Sequence, residues 1–298
     1  MKDWLHKMEE NRTEFEVDKE IKTKKENKEE INTKEKKSFG QWLKQNFSEK
    51  AITEFFKSKK SRPLIITVCS LLVLALVFMI YISTYYRADV AAINAYGESY
   101  LEDDTIVYME DNGNIVVAPN DAKAGFIFYP GGKVEHTSYL PLMIALANRG
   151  ILSVIVEMPC NLAVFDINAA DGIAESFPEI ENWYIGGHSL GGAMAAKYLA
   201  KNTDKLDGIV LLASYSTEIL ENTRAFTLYG TEDKVMNQEK LRQYIINLPV
   251  ESDETLINGG NHAYFGMYGE QRGDGKALIS AIEQIDLAAR CIADFIFE

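Results

Sequence analysis

Only three cysteines occur in the 298 residues, Cys69, Cys160 and Cys291. Cys69 sits inside an apolar run, so at most one disulfide is open to the rest of the chain. That excludes a disulfide framework and makes buried free thiols the expectation. The four histidines and three cysteines form no zinc-type spacing. The phosphate-cradling patterns G-x-x-x-x-G-K-[ST] and G-x-G-x-x-G are missing as well. Positive charge is scarce over most of the chain. Residues 1–62 hold 17 Lys and Arg against 13 Asp and Glu, whereas the remaining residues hold 14 against 31. An acidic domain lacks the cations that a phosphate backbone demands, which excludes nucleic acid as a partner.

Long hydrophobic runs are also rare, with one exception. Leu64–Ser83, "LIITVCSLLVLALVFMIYIS", is twenty residues without a charge. That is the length a helix needs to cross a bilayer, and core helices seldom run so far without a polar face. Some sixty residues precede the run, whereas signal peptides place theirs near the N-terminus. The reading is a membrane anchor over 64–83. Lys57, Lys59, Lys60 and Arg62 precede it and only Arg87 closely follows. The positive-inside rule then puts residues 1–62 in the cytoplasm and the chain from about 84 outside, in a single pass of the cytoplasmic membrane.

The first 37 residues are Lys-, Glu- and Asn-rich and lack the apolar surface for a core. Over 38–57, Phe39, Trp42, Leu43, Phe47, Ile52 and Phe55 recur at helical spacing. An amphipathic helix on the inner membrane face or one that binds a partner accounts for this stripe. Residues 84–102 read as a stalk, and 103–298 as the outer domain.

That domain alternates β-rich and helical runs. "TIVYM" and "IVVA", joined by Asp111-Asn112-Gly113-Asn114, predict a hairpin. Strands are then expected at 125–129, 151–157, 183–185, 208–213, 225–229 and 254–257. Helices fall between them, including one that connects the strand at 151–157 to the strand at 183–185. Several strands are continuous apolar runs, as in parallel sheets buried on both faces. Hence the expectation is an α/β fold, mostly parallel, with helices on both faces and active residues in loops at the strands' carboxyl ends.

Three such loops hold a coherent set. Gly187-His188-Ser189-Leu190-Gly191 fits G-x-S-x-G between strand and helix. Glycines two residues either side of the serine leave room for a strained turn that projects its hydroxyl. Asp233 follows the strand at 225–229, and His262 follows the strand at 254–257. A serine hydroxyl needs an imidazole to take its proton, and the imidazole needs a carboxylate to hold its tautomer. Glu232 is the alternative acid. The order Ser, Asp, His is that of an α/β-hydrolase. An oxyanion needs two backbone N–H donors: Leu190, after the nucleophile, and Gly132 or Lys133 in the loop "PGGKV".

The blocks "FYPGGKVEHTSYLPL", "EMPCNLAVF", "GGHSLGGAMAAKY" and "GGNHAYFGMYGEQRGDG" resemble, in order, a compact bacterial subgroup of the α/β-hydrolases. This fold-5 subgroup is related in shape to dienelactone hydrolases, with serine where those carry cysteine. The resemblance covers about 103–298 and implies hydrolysis without naming a substrate. The short connection 214–224 leaves no space for a lid domain. Asn161, Leu162, Tyr215, Tyr264 and Phe265 are pocket candidates.

The leading expectation is a membrane-anchored serine esterase that needs neither metal nor cofactor and acts on a small-molecule or envelope acyl substrate. Two others stay open: acyl transfer to an envelope hydroxyl, and an anchored sensor or scaffold without turnover.

Overall fold

A computed structural model describes residues 61–250 and 252–298, together with residues 56, 58 and 59. The charged tail and the amphipathic helix expected near 38–57 lie, apart from those few positions, outside the described residues.

Helix α1 (Arg62–Ser83) is the one helix among the described residues long and apolar enough to cross a membrane. None of its side chains is buried, which separates it from the core helix of a soluble domain.

From Ile82 onward the chain is one compact unit. Its eight strands are β1 (Ile106–Met109), β2 (Ile115–Ala118), β3 (Ala124–Tyr129), β4 (Ile151–Ile155), β5 (Trp183–His188), β6 (Gly208–Leu212), β7 (Arg224–Gly230) and β8 (Ser252–Ile257). They form one sheet in the order β1-β2-β4-β3-β5-β6-β7-β8. The β1–β2 and β2–β4 pairs are antiparallel and every other pair is parallel. The hairpin turns at Gly113, whose φ of 88° suits a residue without Cβ.

The central strands β3 to β6 are buried at every position, so both faces must be covered. Side chains alternate across the sheet. Ile127, Tyr129, Ile185, Ile209 and Leu211 share one core with Ala195, Ala196 and Leu199 of α4 (Leu190–Leu199). On the opposite face Phe226 and Tyr184 meet Phe295 of α6 (Ala281–Phe297), with ring centroids 5.4 and 5.8 Å apart. Helix α3 (Leu140–Ala147) is wholly buried and packs on α6. Ser280 and Glu283 form a capping box that starts α6. A short helix α5 (Gln238–Tyr244), capped by Asn237, links β7 to β8.

Three expectations need correction. Residues 84–102 are not a free stalk. They hold α2 (Val90–Tyr100), whose Ile93 and Tyr96 are buried and which packs on α3. Asp89 caps this helix by accepting from Ala92 N–H at 3.1 Å. Apolar residues at helical spacing give the segment a face to bury, so the domain begins before residue 103.

No helix connects β4 to β5. Short 3-10 turns fill the space, broken by Pro159, by the left-handed Cys160 and Asn161 (φ 56° and 55°), and by Gly172 (φ 81°). The Tyr129 hydroxyl pins this stretch to β3: it donates to Ile167 O and accepts from Ala170 N–H, both at 2.8 Å.

All three cysteines are free, but Cys160 is exposed and Cys291 half-buried, because the tight turn aims Cys160 outward. Between β6 and β7 only residues 213–223 intervene, so no lid domain is inserted there.

Candidate active site

Ser189 sits between β5 and α4 with φ 52° and ψ −121°, a region that L residues occupy only under constraint. The constraint is built from both sides. Ser189 N–H donates to Leu212 O on β6 (2.9 Å), and Ser189 O accepts from Ser214 Oγ (2.7 Å). A Cβ on Gly187 would lie 2.5 Å from Tyr129 O, and one on Gly191 would lie 2.2 Å from the same atom and 2.3 Å from Pro130 O. Backbone cannot yield to either, so both positions require glycine.

His262 follows β8, and its Nδ1 lies 2.8 Å from Asp233 Oδ2, with both side chains almost fully buried. Asp233 Oδ1 accepts from Val235 N–H and Met236 N–H, each at 2.8 Å. With Nδ1–H donating to Oδ2, His262 Nε2 is left as the basic nitrogen. That atom is buried and has no hydrogen-bond partner among the described residues, so its lone pair is open to a proton. Glu232, the alternative acid, is partly exposed beside Thr231, and Asp233 holds the place against His262.

The two donor candidates in the β3 loop separate cleanly. Lys133 N–H donates to Asn161 O at 2.7 Å and is thereby committed. This corrects its candidacy. Gly131 N–H donates to Tyr139 Oη at 3.1 Å. Gly132 N–H and Leu190 N–H have no hydrogen bond among the described residues. They belong to neighbouring loops, since a Cβ on Gly132 would lie 2.8 Å from Leu190 Cδ2.

Several positioning residues have no signature in the G-x-S-x-G pattern. Tyr139 Oη lies 2.8 Å from His188 Nδ1 while accepting from Gly131 N–H. The phenol thus ties the loop after β3 to the residue before the serine. Asp274 accepts from Ala263 N–H at 2.9 Å and from Lys234 N–H at 3.3 Å, bracing the His262 and Asp233 loops together. Gln284, buried on α6, accepts from Asn261 N–H (2.9 Å) and donates to Asn261 O (2.8 Å). A lone amide on an apolar helix and the acidic residue of "GDG" were the available signals.

His188 is buried, its ring 4.5 Å from that of His262 and 5.7 Å from that of Phe265. Burial, and then the neighbouring His262, hold its pKa well below the ordinary histidine value. The unfolded chain takes a proton near pH 6.5 that the buried ring refuses. Below that pH the unfolded state binds more protons, so stability falls as pH falls. His136 is lowered by burial in the same sense. The melting temperature is expected to drop between about pH 7.5 and about pH 5.5, less steeply in His188→Gln. Equal slopes for the two proteins would contradict the buried neutral ring.

The pocket candidates disperse. Phe265 is buried against His188, and Leu162 is buried in the core. Asn161 holds Lys133, while Tyr215 stacks on Tyr244 with centroids 5.4 Å apart. Tyr264 lines a groove of about 560 Å³ with Tyr96, Tyr100, Met267 and Ile282. Among the described residues no group of three or more His, Cys, Asp or Glu side chains could hold a metal ion.

Among solved structures the chain is similar to TT1662 from Thermus thermophilus, at 13% identity and a TM-score of 0.49, over 65% of this chain and 97% of that one. It is also similar to dienelactone hydrolase from Anabaena variabilis (12%, TM-score 0.47, 65% and 98%). Carboxyl esterase 2 from Tuber melanosporum is a third (12%, TM-score 0.48, 65% and 89%). No curated protein sequence matches it. The model of the alpha/beta hydrolase family matches residues 125–286, more than half of the chain, and the protein belongs to that family.

Proposed function

We propose that this protein is a serine hydrolase acting on esters, anchored in the cytoplasmic membrane by α1 with its domain outside. The carrying observation is the buried His262–Asp233 pair, whose free Nε2 accompanies a serine on a strained turn.

Ser189 Oγ attacks the carbonyl carbon as His262 Nε2 takes its proton. The carbonyl oxygen, now negative, is held by the N–H groups of Leu190 and Gly132. As the C–O bond to the leaving alcohol breaks, His262 returns the proton to that oxygen, leaving Ser189 acylated. Water then attacks the acyl carbon while His262 takes its proton, and collapse releases the carboxylic acid and restores the serine hydroxyl. Asp233 keeps the proton on Nδ1 throughout and stabilises the imidazolium.

A fluorophosphonate probe tests the nucleophile. Labelling is expected on the one peptide that contains Ser189, read by mass spectrometry. No labelling, or labelling only elsewhere, rules the mechanism out. Orientation rests on the lysines before α1. Protease added to intact cells is expected to digest the domain and spare the tail, and the reverse pattern would invert the topology.

A further inference from the structure

The segment after α1 is laced to the loops that carry the candidate machinery. Tyr86 N–H donates to Lys133 O at 2.7 Å and Glu135 N–H donates to Tyr86 O at 2.9 Å, a parallel bridge directly after Gly132. Lys133 Nζ donates to Thr84 Oγ1 at 2.9 Å. On the histidine side, Asp89 N–H donates to Met267 O (2.8 Å) and Arg272 N–H to Tyr86 Oη (3.1 Å). The Tyr86 ring also lies 5.7 Å from that of Tyr268. Thr84–Asp89 is thus a strap across both loops, and it cannot extend without breaking these bonds.

Chain length then sets the reach. Tyr86 is three residues past Ser83, the last residue of α1. At most about 11 Å of chain separates the helix end from the residue bonded to Lys133. The headgroup zone outside the hydrocarbon is itself roughly 5–7 Å deep on each side. A free stalk over 84–102 would have reached about 60–70 Å. Beside the strap lies the groove of about 560 Å³, lined by Asp89, Tyr96, Tyr100, Tyr264, Met267 and Ile282. Its volume is in the range of small-ligand sites, and its lining reaches the loop after His262.

We infer that the substrate is an ester carried by a lipid of the bilayer that holds α1, met at headgroup level. This rests on the anchored-hydrolase reading above. A short strap gives no advantage with a soluble ester. With a lipid in the same membrane, confinement to one surface raises the effective concentration. The lipid alcohol leaves with the proton from His262, and water releases the acyl chain as the acid.

The test uses the full chain reconstituted into phosphatidylcholine–phosphatidylglycerol vesicles. A fluorogenic glycerolipid ester is placed either in the same vesicles or in separate ones, and p-nitrophenyl acetate serves as the soluble control. Hydrolysis in the same vesicles is expected to exceed that in separate vesicles by at least about tenfold. Equal rates, or turnover of the soluble ester with none of the lipid ester, overturn the inference. If neither ester is cut, the hydrolase reading falls and this one with it. A second arm inserts an (EAAAK)-type helix of about 20 residues, roughly 30 Å, between Ser83 and Thr84. The same-vesicle rate is expected to fall at least about tenfold with the soluble rate kept, and an unchanged lipid rate counts against the inference.

Discussion

Asp233→Asn is expected to lower kcat on a hydrolysed ester by about 10⁴-fold, with the fold kept. The asparagine carbonyl can still accept from Val235 and Met236 N–H, as Asp233 Oδ1 does. Its amide nitrogen then replaces Oδ2 and points a donor at His262 Nδ1, where the carboxylate accepts at 2.8 Å. The imidazole must turn its lone pair to Nδ1 and carry its proton on Nε2. In that tautomer it cannot take the proton of Ser189. The measurement is kcat on a soluble ester beside a melting curve. A loss under about tenfold, with the melting temperature unchanged, would show that Asp233 does not set the tautomer.

Gly191→Ala is expected to cost about 4 kcal/mol or more, beyond what most single substitutions do. The new Cβ would meet two carbonyl oxygens at the end of β3, at 2.2 and 2.3 Å, and neither is the movable end of a side chain. Relief requires shifting β3 against β5, where Tyr129 pairs with Gly187. For a domain of this size the melting temperature should drop by about 8–16 °C. Gly97→Ala is the internal contrast. It lies within α2, and a Cβ there meets nothing within 4 Å. Alanine should gain about 0.5–1 kcal/mol in a helix interior. Melting of the detergent-solubilised full chain compares the two, and similar shifts would refute the steric account.

The strained turn at Ser189 was legible because its steric demand is local: two glycines flank one serine at fixed spacing. Asp233 and His262 were legible through strand order, each following a β-rich run. The residues that steady them left no such trace. Tyr139 reaches His188 across 49 positions, and Gln284 reaches Asn261 across 23. Hydrogen bonds of that span follow from how helices lie on the sheet, which no short pattern records. The bond that occupies Lys133 N–H was hidden in the same way, because only the fold brings Asn161 O to it. The stalk was misread for a different reason. Ile93 and Tyr96 do recur at helical spacing, but a short segment beside a long apolar run offers no sign of the surface it will cover.

The two borders of the sheet bear on how such a chain would coexist with its own copies. Strands with open hydrogen-bonding rims are templates for pairing. Strand β1 has Ile106 and Met109 exposed, yet Glu102, Asp103 and Asp104 precede it and Glu110 and Asp111 follow. Strand β8, at the opposite border, carries Asp253 and Glu254 in the open. Both rims are therefore fringed by like charge, and two copies meeting edge to edge bring carboxylates against carboxylates. The same carboxylates work as gatekeepers against edge-to-edge stacking of copies.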